Sequence, residues 1–157
     1  MPALHFSVNN PTFIAKIRHL TTHSVDSIFK GGMAFSADIN GHAVVTDTTV
    51  DDGGSDSGPS PKRMMLASLS GCTGIDIVSI LNKMKVSFSD FSINVHAALS
   101  ADHPKIYNHV KITYKIKLAE EDKPKMIKAV SLSQEKYCGV YAMFSSFAKM
   151  DTEIDYL

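Results

Sequence analysis

Apolar and polar residues alternate in three stretches of this chain. Met33, Phe35, Ala37 and Ile39 alternate with Ala34, Ser36 and Asp38, the period of a strand with one covered face. Asn40-Gly41 follows, a hairpin signal because both central residues of the tight turn need positive φ. Ala43 to Val50, rich in β-branched residues, supplies the returning strand. Further on, Phe91, Ile93, Val95, Ala97 and Leu99 face one way, and Val110, Ile112, Tyr114, Ile116 and Leu118 repeat the pattern. Their partners are mostly polar, so each strand has one wet face, as antiparallel sheets allow.

Helical signals fall between and around these strands. Pro61 opens a helix to about Lys85, since proline is favoured in a first turn. Its middle is apolar on nearly every face, which predicts burial on several sides, in a core or between subunits. Asp122 is the predicted N-cap of a second helix through Glu135, with Pro124 in its first turn. Val140, Met143, Phe144 and Phe147 fall at i, i+3, i+4 and i+7 and predict a third helix starting near Cys138-Gly139. Thr152 to Leu157 alternates weakly, as a final strand. Asp51 to Ser60 is read as a loop, and Pro11 to Leu20 as a short helix with Phe13, Ile14 and Ile17 on one face. The order predicts an α+β fold, one curved antiparallel β-sheet wrapped around a long central helix.

Composition narrows the function classes. The 157 residues suit one core. Sixteen basic side chains balance sixteen acidic ones, which argues against a nucleic-acid binder or a polybasic membrane-surface protein. Met64 to Leu81 is the best candidate for a membrane span, but it carries Asp76, hydroxyl residues and two glycines, so it is read as a buried helix. The N-terminal residues do not form a signal-peptide pattern. A cytoplasmic location is therefore expected, without membrane partners. Two cysteines are too few for a disulfide scaffold, and thiols kept in a reducing compartment are more often free, catalytic or redox-sensing.

Cys72 lies mid-helix between Gly71 and Gly74. Each glycine costs the helix about 1 kcal/mol relative to alanine. Either an element packs closely there or the thiol needs room, and a small buried hydrophobe at a helix crossing is an equal alternative. Cys138 sits at a predicted helix start, where the dipole can depress a thiol pKa, with Lys136 nearby; a plain corner-filling cysteine is again an equal alternative. The two are 66 residues apart, neither a CxxC motif nor a metal-ligand spacing. His19 and His23 are four apart but lack an evident third ligand. Gly53-Gly54 to Gly58 lacks the phosphate-loop spacing, and no Gly-x-Ser-x-Gly elbow occurs. Lys111, Lys115 and Lys117 read as a solvated or edge-protecting face.

The stretch Gly58-Pro59-Ser60-Pro61 through Leu69-Ser70-Gly71-Cys72-Thr73-Gly74-Ile75-Asp76 resembles the central helix of OsmC/Ohr proteins, and Leu132-Ser133-Gln134-Glu135-Lys136-Tyr137-Cys138-Gly139-Val140 resembles their second signature. The resemblance runs from about residue 28 to the end. It implies an N-terminal extension, 1–27, followed by an OsmC-like domain, 28–157. It also implies an intertwined homodimer with active sites at the interface. Cys72 is then the peroxidatic thiolate attacking an organic hydroperoxide, Cys138 the resolving thiol, and an external dithiol, such as a lipoyl protein, the reductant. No metal or bound cofactor is implied.

The chain departs from the peroxidase pattern at two places. A glutamate nine or ten residues before the first cysteine is replaced by Arg63 and Lys62, and the hairpin Gly31 to Val50 lacks the family's thiolate-binding arginine. Arg63 stands about 13 Å before Cys72 along one helix, out of reach within its own chain. The pattern therefore sits closer to the OsmC-like branch. A redox sensor or small-molecule-binding dimer without efficient turnover, and a dimer binding an apolar ligand with unreactive thiols, are the competing readings.

Overall fold

The structure, a computed structural model, describes residues 21–157. The helix read from Pro11 to Leu20, with Arg18 and His19, lies outside the described residues. The chain divides into two compact units, up to Gly58 and from Pro59 onward.

In the first unit, β1 (Asp26–Gly31), β2 (Ala34–Ile39) and β3 (His42–Thr46) form an antiparallel sheet in that order. The Asn40-Gly41 turn forms as expected, with φ of 55° and 81°, and Asp38 Oδ1 accepts the Gly41 N–H at 3.0 Å. Strand β1 has no counterpart in the alternation reading, because its residues are exposed on both sides and carry no one-face signal. Ile28, Phe29, Phe35, Ile39 and Val45 are all exposed in the chain.

After β3 the loop closes on Asp47, which is only 2% exposed. Its carboxylate accepts the N–H groups of Thr48, Ser55 and Ser57 at 2.8, 3.1 and 3.1 Å, and the hydroxyls of Ser55 and Ser57 at 2.8 Å each. A short 3-10 turn, Val50–Asp52, lies inside this loop.

The second unit begins with α1 (Pro61–Lys83), followed by β4 (Phe88–Leu99), β5 (Tyr107–Leu118), α2 (Lys123–Leu132), α3 (Gly139–Ser145) and β6 (Lys149–Tyr156). Its sheet runs β4-β5-β6. The alternation read on β5 holds: Val110, Ile112, Tyr114 and Ile116 are fully buried. They meet Leu69, Ile77 and Leu81 of α1, Met126 and Ala129 of α2, and Phe144 of α3 in one core. Burial of each of the Val, Leu, Ile, Met and Phe side chains contributes about 1.5–3 kcal/mol. A Cβ on Gly74 would stand 2.9 Å from Ile93 Cδ1 of β4, whereas one on Gly71 would meet nothing within 4 Å. Of the two glycines flanking Cys72, Gly74 thus reflects close packing and Gly71 does not.

The α+β class is as expected, with three differences in detail. The strands form two sheets, one per unit. β6 joins β5 in parallel, because α2 and α3 carry the chain back to the end where β5 starts. Asp122 takes the expected N-cap position, but its backbone is helical and its side chain makes no cap; it instead accepts a hydrogen bond from Lys125 Nζ at 2.7 Å.

The lysine row lies on the central strand of its sheet, so edge protection is excluded. Lys111 pairs with Glu153 at 2.6 Å and Lys115 with Asp155 at 3.4 Å across β6, a solvated face of small energetic weight. Helix α1 is long and apolar enough to cross a membrane, yet it is built into this core through one face. Its other side is open in the single chain, with Met65 and Ile75 44% and 73% exposed.

The five hydrogen bonds on Asp47 hold its carboxyl well below the usual 3.8, the Ser57 N–H contributing most. A depressed carboxylate stabilises the fold above the unfolded-chain pKa, and this stability is lost as pH falls toward the native value. Acid unfolding of the wild type is therefore expected to steepen below about pH 4. In Asp47→Asn, an amide donor faces hydrogen-bond donors. That variant should be less stable at neutral pH and show a flatter acid limb in urea titrations across pH.

Candidate functional site

Both cysteines belong to the second unit. Cys72 lies on α1, and Asp76 follows four residues later on the same helix face. Cys138 comes from the other end of the unit. After Leu132 the backbone widens into a π turn, Ser133–Tyr137, closed by the Cys138 N–H donating to Ser133 O at 2.7 Å. Such widened turns commonly re-aim residues at functional sites. The expected second helix therefore ends as an α-helix at Leu132, and the π turn delivers Cys138 to the start of α3.

The sulfurs of Cys72 and Cys138 and a carboxylate oxygen of Asp76 all lie within 4.8 Å of one another. The two cysteines, unrelated by sequence spacing, are thus neighbours, both as free thiols. Cys72 is half-buried and Cys138 buried.

A buried hydrogen-bond chain fixes this cluster. Ser133 Oγ donates to Asp76 Oδ2 at 3.1 Å. A hydroxyl has one proton, so Ser133 Oγ accepts from Thr73 Oγ1 at 3.0 Å. Thr73 Oγ1 in turn accepts from the Tyr114 hydroxyl at 2.8 Å. Ser133 therefore holds Asp76 with its hydroxyl and Cys138 with its carbonyl. Thr73, Ser133 and Tyr114 are essentially fully buried, where an unpaired hydroxyl costs about 1–3 kcal/mol. Among the described residues, no buried side-chain nitrogen or oxygen lacks a partner.

The electrostatics of Cys138 reverse the expectation. Its Sγ does accept the Tyr141 N–H at 3.3 Å at the start of α3, and that contact lowers the pKa. Burial outweighs it, and together with the adjacent Cys72 and the charge of Asp76 pushes the thiol up to about 12. Helix α3 has seven residues, so its dipole is small. Lys136 does not assist the thiol, since its ammonium lies over the Tyr137 ring, 5.3 Å from the centroid.

Sequence reasoning named Cys72 and Cys138 and missed Asp76, Thr73 and Ser133 as their companions. The four-residue spacing of Cys72 and Asp76 was a usable signal. The link to Ser133 and Tyr114 was not, because it spans 60 and 41 residues from Thr73. Beside the cluster, an open cleft of about 310 Å³ reaches Asp76 between Ser79, Met84, Leu132 and Tyr137, with Lys83 at its wall. Of the histidine pair, His23 is described and exposed.

An α+β unit with a core helix that sets one thiol against a second, delivered by a π turn, defines a two-cysteine protein of the OsmC type. The family model for OsmC-like protein matches residues 54–153, and the chain belongs to that family. It is 30% identical over 104 residues to Protein YhfA of Escherichia coli K12, covering 66% of this chain and 75% of that protein. Its fold is shared with the crystal structure of a hypothetical protein from Aquifex aeolicus VF5, at TM-score 0.76 and 24% identity over 88% of this chain and 98% of that one. It is also shared with an organic hydroperoxide resistance protein OsmC from Legionella pneumophila, at TM-score 0.62 and 14% identity over 87% and 99% of the two chains.

The raised pKa of Cys138 has a measurable consequence. A thiol whose native pKa lies above the unfolded value contributes stability below that value and loses it as pH rises. Stability should therefore fall from pH 9.0 upward toward about 12. In Cys138→Ala, that alkaline slope should shrink in denaturant titrations between pH 8 and 11.

Proposed function

We propose that Cys72 and Cys138 form a redox couple that reduces organic hydroperoxides. The observation that carries this reading is the proximity of the two sulfurs across 66 residues of sequence. Their unequal exposure supports Cys72 as the attacking thiol and Cys138 as the resolving one. The Cys72 thiolate attacks the O–O bond, giving a sulfenic acid and releasing an alcohol. The Cys138 thiol then attacks that sulfur, forming a disulfide and releasing water. An external dithiol, of which a lipoyl protein is one source, reduces the disulfide and leaves as its own oxidised form. The Legionella relative, an organic hydroperoxide resistance protein, supports this chemistry.

One observation favours a second reading, a redox-sensing or small-molecule-binding protein without efficient turnover. The charged neighbours acting on Cys138 are Cys72 and Asp76, and both oppose a thiolate. A resolving thiol held in its protonated form attacks a sulfenic acid slowly, which works against sustained turnover.

The test is consumption of cumene hydroperoxide by the purified protein with dihydrolipoamide as reductant. Sustained turnover that falls to background in Cys72→Ser supports the peroxidase. In Cys138→Ser assayed without dithiol, a single stoichiometric turnover ending in a sulfenic acid is expected. Stoichiometric disulfide formation without sustained turnover in the wild type selects the sensor. Turnover unchanged in Cys72→Ser overturns both.

We further propose a homodimer in the cytoplasm. The open side of α1 and the apolar residues of the first unit's sheet leave large patches that single soluble chains rarely expose. Ile75→Glu is expected to shift the protein from dimer to monomer in sedimentation velocity while Leu69 and Ile77 keep the core intact. An unchanged mass distribution, or a monomeric wild type, would count against this assembly.

A further inference from the structure

The cluster at Cys72, Asp76 and Cys138 has the makeup of a cation site. Two sulfurs and a carboxylate oxygen converge within 4.8 Å. We propose that the reduced protein binds one zinc-class divalent cation through Cys72 Sγ, Cys138 Sγ and an Asp76 carboxylate oxygen.

The geometry is close to what such an ion needs. Zinc bonds of about 2.3 Å to sulfur and about 2.0 Å to oxygen put tetrahedral ligand atoms about 3.5–3.8 Å apart. Rotation of the half-buried Cys72 side chain brings its sulfur toward that spacing, while Asp76 keeps its hydrogen bond from Ser133. Cys138 need not move, since its backbone is fixed by the 2.7 Å bond to Ser133 O. Cys72 and Asp76 are one turn apart on one helix, the spacing by which helices present two ligands to one metal.

The donor chemistry selects the ion class. Thiolates disfavour magnesium and calcium, which take oxygen ligands. Two thiolates with one carboxylate suit a borderline-soft divalent ion such as zinc. Three protein ligands leave a fourth position for water or another ligand, the arrangement of an open site.

Two further features support the assignment. Ser133 Oγ donates to Asp76 Oδ2 at 3.1 Å, leaving that carboxylate's other oxygen for a metal. Metal-ligating carboxylates are commonly oriented by such an outer hydrogen bond. Asp76 also lines the open cleft of about 310 Å³ and so joins the cluster to solvent-accessible space.

Binding replaces the two thiol protons, so one divalent ion enters and two protons leave. A two-electron oxidant such as hydrogen peroxide joins the two sulfurs as a disulfide, is itself reduced to water with two protons taken from solvent, and leaves the ion without its thiolates, so it is released. The site therefore couples metal occupancy to redox state. This inference does not depend on hydroperoxide turnover, because it needs only the reduced cluster.

The test uses the full-length protein, reduced with a phosphine that binds zinc weakly and kept free of oxygen. Zinc is titrated in competition with a chromophoric chelator, and cadmium in parallel to read sulfur-to-metal charge transfer in the ultraviolet. One zinc per chain is expected, with two protons released and Cys72 protected from alkylation. The disulfide form of the same wild-type protein should bind none, a control that needs no mutation. Cys72→Ser and Cys138→Ser should each lose about half of the cadmium charge-transfer intensity. Ser133→Ala should weaken zinc affinity by about tenfold to a hundredfold, with unchanged circular dichroism. Failure of the reduced protein to bind zinc overturns the proposal. So does binding that persists in the disulfide form or in a Cys72→Ser, Cys138→Ser double variant, since that places the metal elsewhere. Each of these results is independent of whether cumene hydroperoxide is consumed.

Discussion

The hydrogen bond between Thr73 and Ser133 ties the middle of the core helix to the π turn that precedes Cys138. Everything at the site follows from that tie. Thr73 is next to Cys72 in sequence, so its position sets where the helix presents that thiol. Ser133 holds Asp76 through its hydroxyl and Cys138 through its carbonyl. Tyr114 anchors the other end of the chain on the central strand of the sheet. The network lies in the core, and its members are fully satisfied, which rigidifies the cluster.

The same arrangement defines the electrostatics. Burial and a neighbouring carboxylate both disfavour negative charge on sulfur, and the rise at Cys138 shows burial winning over the Tyr141 N–H. A site of this kind attracts positive charge more readily than it stabilises a thiolate. The proposed redox couple and the proposed cation site draw on one set of atoms.

Much of the architecture was legible from periodicity. Alternation on β5 identified its buried face because a central strand covered on one side leaves that face wholly apolar. The Asn40-Gly41 turn was legible because few other residue pairs accept two consecutive positive φ values. Strand β1 was not, because neither of its faces is covered among the described residues. The parallel pairing of β6 was equally hidden, since strand direction depends on where α2 and α3 return the chain. The end of the second helix was misplaced because a π turn has no distinct composition and reads as more helix. The candidate site was half legible: both cysteines stood out by their flanking residues, whereas Thr73, Ser133 and Tyr114 look like ordinary polar positions until their hydroxyls meet.

The amino-acid sequence by itself determined the elements, the α+β class and the two thiols, because hydrophobic period, turn residues and rare side chains are local properties. The tertiary structure alone decided that those thiols are neighbours, that Asp76 joins them, and that burial rather than the helix dipole governs Cys138. Those outcomes depend on distance and desolvation between segments some 60 residues apart, quantities that no local pattern encodes.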